Sequence, residues 1–439
     1  MRFVTSFTHG ARYPAPDVAR GFMLLLIAVA NVPVWTSSTV GPFQAGAAEG
    51  LSPVDRGWVL IRAMLVDHRA YPLFAMLFGF GLVTMINRRL ASGTRAYLES
   101  ITGGQVERAT AAQRAWAREQ ATVDARRLVR RRGWWMVLFG AVHGVFFYGD
   151  IIGTYGLVAV IFAGWLARKH RKRAIAASAL VTLVAGLVML GAGWTVASGA
   201  VGQGTGMVSG SDGATGWSSW PWFLANPSQW LMGTLGTALL SMVVPAVFLG
   251  ARLADTDLLS HPERHRRLLA GVAVGGLGLG ALGGLHSGLA FAGWTDLLLT
   301  DLMVSEWAGL LGACGWLALL ALYAGGPRPD GELHGLRRLA SAVGRRSMTA
   351  YLCQTILFGL IFAVIPWTLG RGIEVGQAAA AAIAVGVWLV TVVICLILEQ
   401  RGDPGPFETL LRTAVARSAR RRRIPAPPPM PSQSGSAAA

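Results

Sequence analysis

The basic residues of this chain are segregated along the sequence, and that restricts the fold more than any other feature. Apolar stretches close to the roughly twenty residues that span a bilayer core recur ten times. They lie at 21–38, 70–86, 133–147, 151–167, 174–197, 223–250, 268–291, 302–323, 347–369 and 376–398. The segments between them alternate in charge. Those at 1–20, 87–132, 168–173, 251–267, 325–346 and 399–439 hold all 39 Lys and Arg except Arg56, Arg62, Arg69 and Arg371. Cytoplasmic loops keep Lys and Arg because positive segments resist translocation. The pattern predicts an all-α integral membrane protein, a polytopic bundle of about ten transmembrane helices with both termini cytoplasmic. The near-absence of Lys (only 169 and 172) beside abundant Arg, Ala and Gly fits a GC-rich bacterial genome. The expected location is the bacterial cytoplasmic (inner) membrane.

The predicted order is a cytoplasmic N-terminus (1–20) and a five-span bundle (21–197) carrying the cytoplasmic loop 87–132. An external loop (198–222), a second five-span bundle (223–398) and a basic, partly disordered cytoplasmic tail (399–439) follow. No cleavable signal peptide is expected, because the first apolar stretch is long enough to span. Residues 54–69 mix apolar and charged side chains, which suits an interfacial helix or a cavity lid. Residues 105–132 are rich in Ala, Arg, Glu and Gln and predict an amphipathic surface helix. Trp217, Trp220 and Trp222 in the external loop suit the headgroup zone.

A formal charge of +17 does not make this a nucleic-acid binder, because the charge sits at the ends of apolar spans, where it sets topology and meets anionic lipid. The expected partners are membrane lipids and a small-molecule or lipid-linked substrate, with no nucleic acid. Cys314, Cys353 and Cys395 all lie in apolar stretches and give neither a disulfide framework nor a metal motif. The run Gly278-x-Gly280-x-x-Gly283 has no strand before it, so a dinucleotide site is excluded. Gly276, Gly280, Gly284 and Gly288 instead form a small-residue stripe for close helix packing. No HExxH, P-loop or GxSxG is present.

Chemistry therefore has to come from polar groups inside the spans, where they are costly to hold. Asn31 lies eleven residues after Arg20, His143 eleven after Arg132, and Gln354 eight after Arg346. At 1.5 Å per residue these stand about 16, 16 and 12 Å above the arginines, at depths that could line one cavity. Ser347, Tyr351 and Gln354 share a helix face, as do His143 and Asp150. The expected catalytic residues are His143, Asn31 and Gln354, with Arg20, Asp150, Tyr351, Arg345 and Arg346 contacting substrate and no metal. Asp296, Asp301 and Glu306 read as a solvated rim at the outer end of the eighth span. His286 reads as a packing residue.

Several ordered motifs resemble the YeiB-like bacterial membrane proteins, whose C-terminal half is domain of unknown function 418. They are Asp17 with Arg20-Gly21-Phe22 and Asn31; Leu73-Phe74 with Leu77-Phe78-Gly79-Phe80-Gly81; and Gly140, His143-Gly144, Gly149-Asp150-Ile151 and Tyr155. Gly344-Arg345, Ser347-Met348-Thr349, Tyr351-Leu352, Gln354-Thr355, then Gly405-Pro406-Phe407-Glu408 and Arg412 complete the set. The N-terminal region of that family is similar to transmembrane acyltransferases that use an Asn on the first such span and a nearby luminal His. Asn31 matches the Asn. Residues 32–56 contain no histidine, and His68 and His143 are the nearest in sequence.

The resemblance implies transfer of an acyl group from a cytoplasmic acyl-CoA-type donor to an envelope or lipid-linked acceptor, with no bound cofactor. In that scheme Arg20, Arg345 and Arg346 hold donor phosphates, His143 is the general base, and Asn31 and Gln354 position the carbonyl. The alternative is a transporter or exporter of a small envelope metabolite. A third reading is a scaffold acting through 87–132.

Overall fold

The computed structural model describes residues 13–36, 50–198, 222–327, 333–370, 373, 375–420 and 422–428. Residues 199–221 of the expected external loop and the end of the tail at 429–439 lie outside the described residues. Among the described residues the chain is all-helical. Its helices are α1 (Pro14–Trp35), α2 (Pro53–Leu65), α3 (Ala70–Thr102), α4 (Ala111–Phe146), α5 (Ile152–Arg168) and α6 (Arg171–Ala197). They continue as α7 (Trp222–Leu240), α8 (Val243–Leu253), α9 (Arg266–Phe291), α10 (Asp301–Ala324) and α11 (Gly335–Arg345). Last come α12 (Ser347–Gly359), which passes through a π-helical turn into α13 (Ile365–Leu369), then α14 (Gln377–Gln400) and α15 (Pro406–Arg417).

Among the described residues seven helical segments are long and apolar enough to cross a membrane, or eight if the bent pair α7–α8 is one span. The segments predicted at 133–147 and 151–167 are helical but short. The apolar part of α4 after Gly133 rises about 21 Å and α5 about 25 Å, less than the roughly 30 Å of a hydrocarbon core. The segment predicted at 223–250 is not straight: it bends by 59° between Leu240 and Val243.

α1 is the central helix. It packs on α3, α10, α11, α12 and α14, and Val18, Ala19, Met23, Leu24 and Ala28 are fully enclosed. The outward faces are also apolar: Leu183, Leu187, Val274, Leu282 and Val393 are exposed, as lipid-facing side chains must be. Without a hydrophobic drive between helices, contact depends on close approach. The glycine stripe of α9 does this. A Cβ on Gly280 would lie 2.7 Å from Gly312 Cα of α10, and one on Gly288 would meet Leu60 and Ala63 of α2.

The six basic segments meet at one end of the bundle. Lys169 pairs with Asp255 at 2.5 Å, Arg168 with Glu119 at 2.5 Å and Arg345 with Glu399 at 2.8 Å. The Tyr13 ring meets that of His261. Arg56, Arg62 and Arg69 lie at the opposite end, where Arg56 donates to Ala292 O at 2.7 Å and Asp55 accepts from Ala378 N at 2.9 Å. The surface helix expected over 105–132 is present from Ala111, but as the first part of α4 and not as a separate element. α3 and α4 run on through 87–132 and form a hairpin closed by a turn at Val106–Arg108 and by the Thr110–Gln113 capping box.

The Gly405-Pro406-Phe407-Glu408 motif has a structural task. Glu408 Oε1 accepts from Met348 N (2.7 Å) and Thr349 N (3.2 Å), and Thr349 Oγ1 donates to Oε2 (2.5 Å). It thus satisfies amides that the first turn of α12 leaves unpaired. Glu408→Ala should lower stability by about 1–3 kcal/mol, read as a drop in the thermal unfolding midpoint of the detergent-solubilised protein. Glu408→Gln should recover part of that loss.

Candidate functional site

A cavity of about 300 Å³ opens at the end of the bundle away from the basic segments. That is the lower limit for small-molecule sites. Its described walls are Ile27, Ala30 and Asn31 of α1, Val66, Asp67 and His68 of the α2–α3 turn, Ala70 and Tyr71 of α3, Gly149 and Ile151, and Tyr351 of α12. The segment expected to form an interfacial helix or lid thus contributes part of the wall.

The α2–α3 turn is built from buried arginines. Arg69, 1% exposed, donates to Ala63 O (2.7 Å), to Asp67 O and to Gly280 O of α9. Arg62 binds Asp67 Oδ2 (3.0 Å) and Gln377 Oε1 of α14 (3.0 Å). Held between them, His68 adopts φ +60°, a left-handed conformation uncommon for a non-glycine residue. Such outliers persist only where the surroundings enforce them.

His68 Nδ1 lies 2.7 Å from Glu306 Oε2, and the His68 side chain remains one-third exposed while Glu306 is 5% exposed. Glu306 Oε1 accepts from Met242 N at 3.0 Å and from the Tyr71 hydroxyl. The Met242 amide is free to donate because the chain breaks there, between α7 and α8. With the carboxylate as acceptor, Nδ1 carries the proton, and in the neutral imidazole Nε2 keeps its lone pair. That is the arrangement of a carboxylate-oriented general base. Asp301, too, is buried, bound to His286 Nδ1 (2.9 Å) and Leu298 N (2.7 Å). The solvated-rim expectation therefore fails for Asp301 and Glu306, and holds only for Asp296, which is exposed.

Asn31, His143 and Gln354 do not converge on one cavity. Only Asn31 lines it, with Tyr351. His143 is enclosed: Nδ1 is 2.7 Å from Asp150 Oδ1 and Nε2 is 2.9 Å from Thr355 Oγ1, with the rings of Phe147 and Tyr351 beside it. Asp150 Oδ2 also accepts from Gly153 N (2.8 Å) and Trp230 Nε1 (3.3 Å). Every hydrogen-bonding position of the imidazole is thus used inside the protein. Gln354 donates to Leu24 O of α1 at 3.2 Å, a contact between packed helices.

The expected phosphate-binding arginines lie at the far end and already have partners. Arg20 binds Asp17 (3.2 Å) and Leu77 O (3.2 Å). Arg345 binds Glu399 (2.8 Å), and Arg346 binds Asp403 O (3.1 and 2.6 Å). Arg132 lies at the same end, and its Nε, like Arg345 Nε and Arg346 Nη1, is buried without a hydrogen-bond partner. Burial, with Arg412 and Arg20 close by, pushes its guanidinium below the usual arginine range.

Residues 253–418 match the family model described as "Protein of unknown function (DUF418)". This part of the chain is similar to the DUF418 family. The matched region runs from the end of α8 through α15 and contains the motifs at 344–355 and 405–412 that resemble YeiB-like proteins. No curated protein and no solved structure matches the chain. The cavity is composite: the matched region supplies Tyr351 to its wall and Glu306 behind His68 and Tyr71, whereas Asn31, Asp67, His68 and Tyr71 precede that region. Glu306 could have been suspected from sequence, as a carboxylate inside an apolar stretch. Nothing local points to its pairing with His68, 238 positions away.

Proposed function

We propose that this protein crosses the cytoplasmic membrane about ten times, with its basic end and both termini in the cytoplasm. We propose that it transfers a small acyl group from a cytoplasmic acyl-CoA-type thioester to an envelope or lipid-linked acceptor. The contacts among the six basic segments support the alternating topology, with α4 and α5 as a short pair within it. The observation that carries the chemistry is that His68, backed by Glu306, lines one cavity with Asn31.

In this reading His68 Nε2 takes the proton from the acceptor hydroxyl or amine as that atom attacks the thioester carbonyl. Asn31 donates to the carbonyl oxygen as negative charge develops on it. The C–S bond breaks, the imidazolium returns its proton to the departing thiolate, and acylated acceptor and free thiol leave. Arg20, with Arg132 beside it and with Arg345 and Arg346 at the same end, attracts the donor's phosphates. The acyl arm then reaches about 16 Å along α1 from Arg20 to Asn31.

The test is acyl-CoA binding and thiol release by the purified full-length protein. The transport reading has its own support in the break at Met242, since interrupted helices frame substrate sites in many transporters. Gradient-driven flux in proteoliposomes without an acyl donor, together with no thiol release, selects transport.

His143, the base expected from sequence, serves in this reading to hold α4, α5 and α12 together. His143→Ala should cost about 3 kcal/mol or more, because it leaves the buried Asp150 carboxylate without its ring partner. The folded fraction should keep kcat within about threefold. A loss of a hundredfold or more at unchanged stability would return the general-base role to His143, with Thr355 as the hydroxyl it activates.

A further inference from the structure

At the basic end a groove of about 760 Å³ lies between α4 and the chain that follows α15. Arg127, Arg131, Trp134 and Leu138 on its wall are spaced i, i+4, i+7 and i+11, a single face of α4. That face passes from guanidinium to indole to alkyl over about 16 Å. Trp134 is 56% exposed and Leu138 49%. Arg130 adds a third cation from α4, and Arg420 a fourth from the tail. The tail is fixed there by Trp135 Nε1 donating to Ser418 Oγ (2.9 Å) and by Arg422 bonding Gln120 (2.6 Å) and Asp124 (3.4 Å).

The described lining of this groove contains four arginines and no acidic residue, and Arg131 Nε is buried with no hydrogen-bond partner. Burial, with the like charges of Arg127 and Arg89, pushes the Arg131 guanidinium below the usual range. Like charges held this close favour an anion between them. A tryptophan at the boundary and a lipid-facing leucine beyond it give that anion an apolar continuation. Free phosphate would use the arginines and leave Trp134 and Leu138 idle.

We propose that this groove binds one anionic phospholipid, its phosphate among Arg127, Arg130, Arg131 and Arg420 and an acyl chain along Trp134 and Leu138. Basic pockets between membrane helices on the cytoplasmic side recognise such headgroups, and paired guanidinium–phosphate bonds give specificity beyond charge. The proposal does not depend on the acyl-transfer reading.

The experiment is native mass spectrometry of the full-length protein in neutral detergent, titrated with phosphatidylglycerol, phosphatidylcholine and inorganic phosphate. Phosphatidylglycerol should be retained at least tenfold more tightly than phosphatidylcholine. R130Q/R131Q should remove that preference, and W134A should weaken it about threefold or more. R420Q, in the tail beyond the last helix and exposed, should weaken it with no change in fold. R264Q, an exposed arginine at the same end paired with Asp257, should have no effect. Unchanged affinity in both R130Q/R131Q and R420Q overturns the proposal. So does equal binding of the two lipids, or displacement of phosphatidylglycerol by inorganic phosphate at equal concentration.

Discussion

Under the proposed acyl transfer, His68→Ala should reduce kcat/KM by about 10²–10⁴-fold, the contribution expected of a positioned general base, while the proposed donor binding at the basic end is unchanged. The partner variant separates chemistry from structure. Glu306→Gln keeps an acceptor oxygen for His68 Nδ1 but removes the charge that stabilises the imidazolium. It should lower kcat/KM by an intermediate factor, and the pH at which activity falls should shift downward. The sign follows from the carboxylate. A negative charge 2.7 Å from Nδ1 favours protonated His68, so neutralising it lowers the pH at which the base becomes available. A His68→Ala enzyme with full thiol-release activity would dismiss His68 as the base, whatever the behaviour of Glu306→Gln.

The second large effect falls on Arg69. This side chain is enclosed and donates to carbonyls of α2, the α2–α3 turn and α9. Arg69→Ala removes these donors and leaves a cavity against Gly312, whose absent Cβ would lie 2.8 Å from Arg69 Cγ. Unpaired buried carbonyls and lost volume together should cost about 3–5 kcal/mol, measured by unfolding of the solubilised protein. Arg69→Met refills most of the volume but none of the hydrogen bonds, so it should recover less than half of the loss. If Arg69→Met is as stable as the parent, packing alone sets the turn and the carbonyl contacts contribute little. Both variants should also lose activity, because the same turn presents His68.

Much of the architecture was legible from residue order. Lys and Arg at alternate boundaries required six segments to share one end, and Lys169–Asp255 and Arg345–Glu399 join such segments. The stripe Gly276, Gly280, Gly284, Gly288 announced close helix packing, and the α9–α10 and α9–α2 contacts use it. Less legible was how far each apolar stretch extends as one rod. The bend at Met242 and the short rise of α4 beyond Gly133 depend on neighbours in space.

The candidate site was legible only in part. Asn31, Tyr351 and the 54–69 segment were singled out and do line the cavity. Depth along a helix axis suggested that Asn31, His143 and Gln354 would meet, but depth is one coordinate of three. Azimuth is set by packing, which turns His143 toward Asp150 and Thr355 and Gln354 toward Leu24.

Composition and charge order alone therefore determined that the chain is a helical membrane bundle with a basic end, because lipid admits few other ways to satisfy a backbone. Which polar side chains share a cavity was decided only by the tertiary structure. A costly polar group inside a membrane takes its partner from whichever helix lies nearest in space, and Glu306 found His68, 238 positions away.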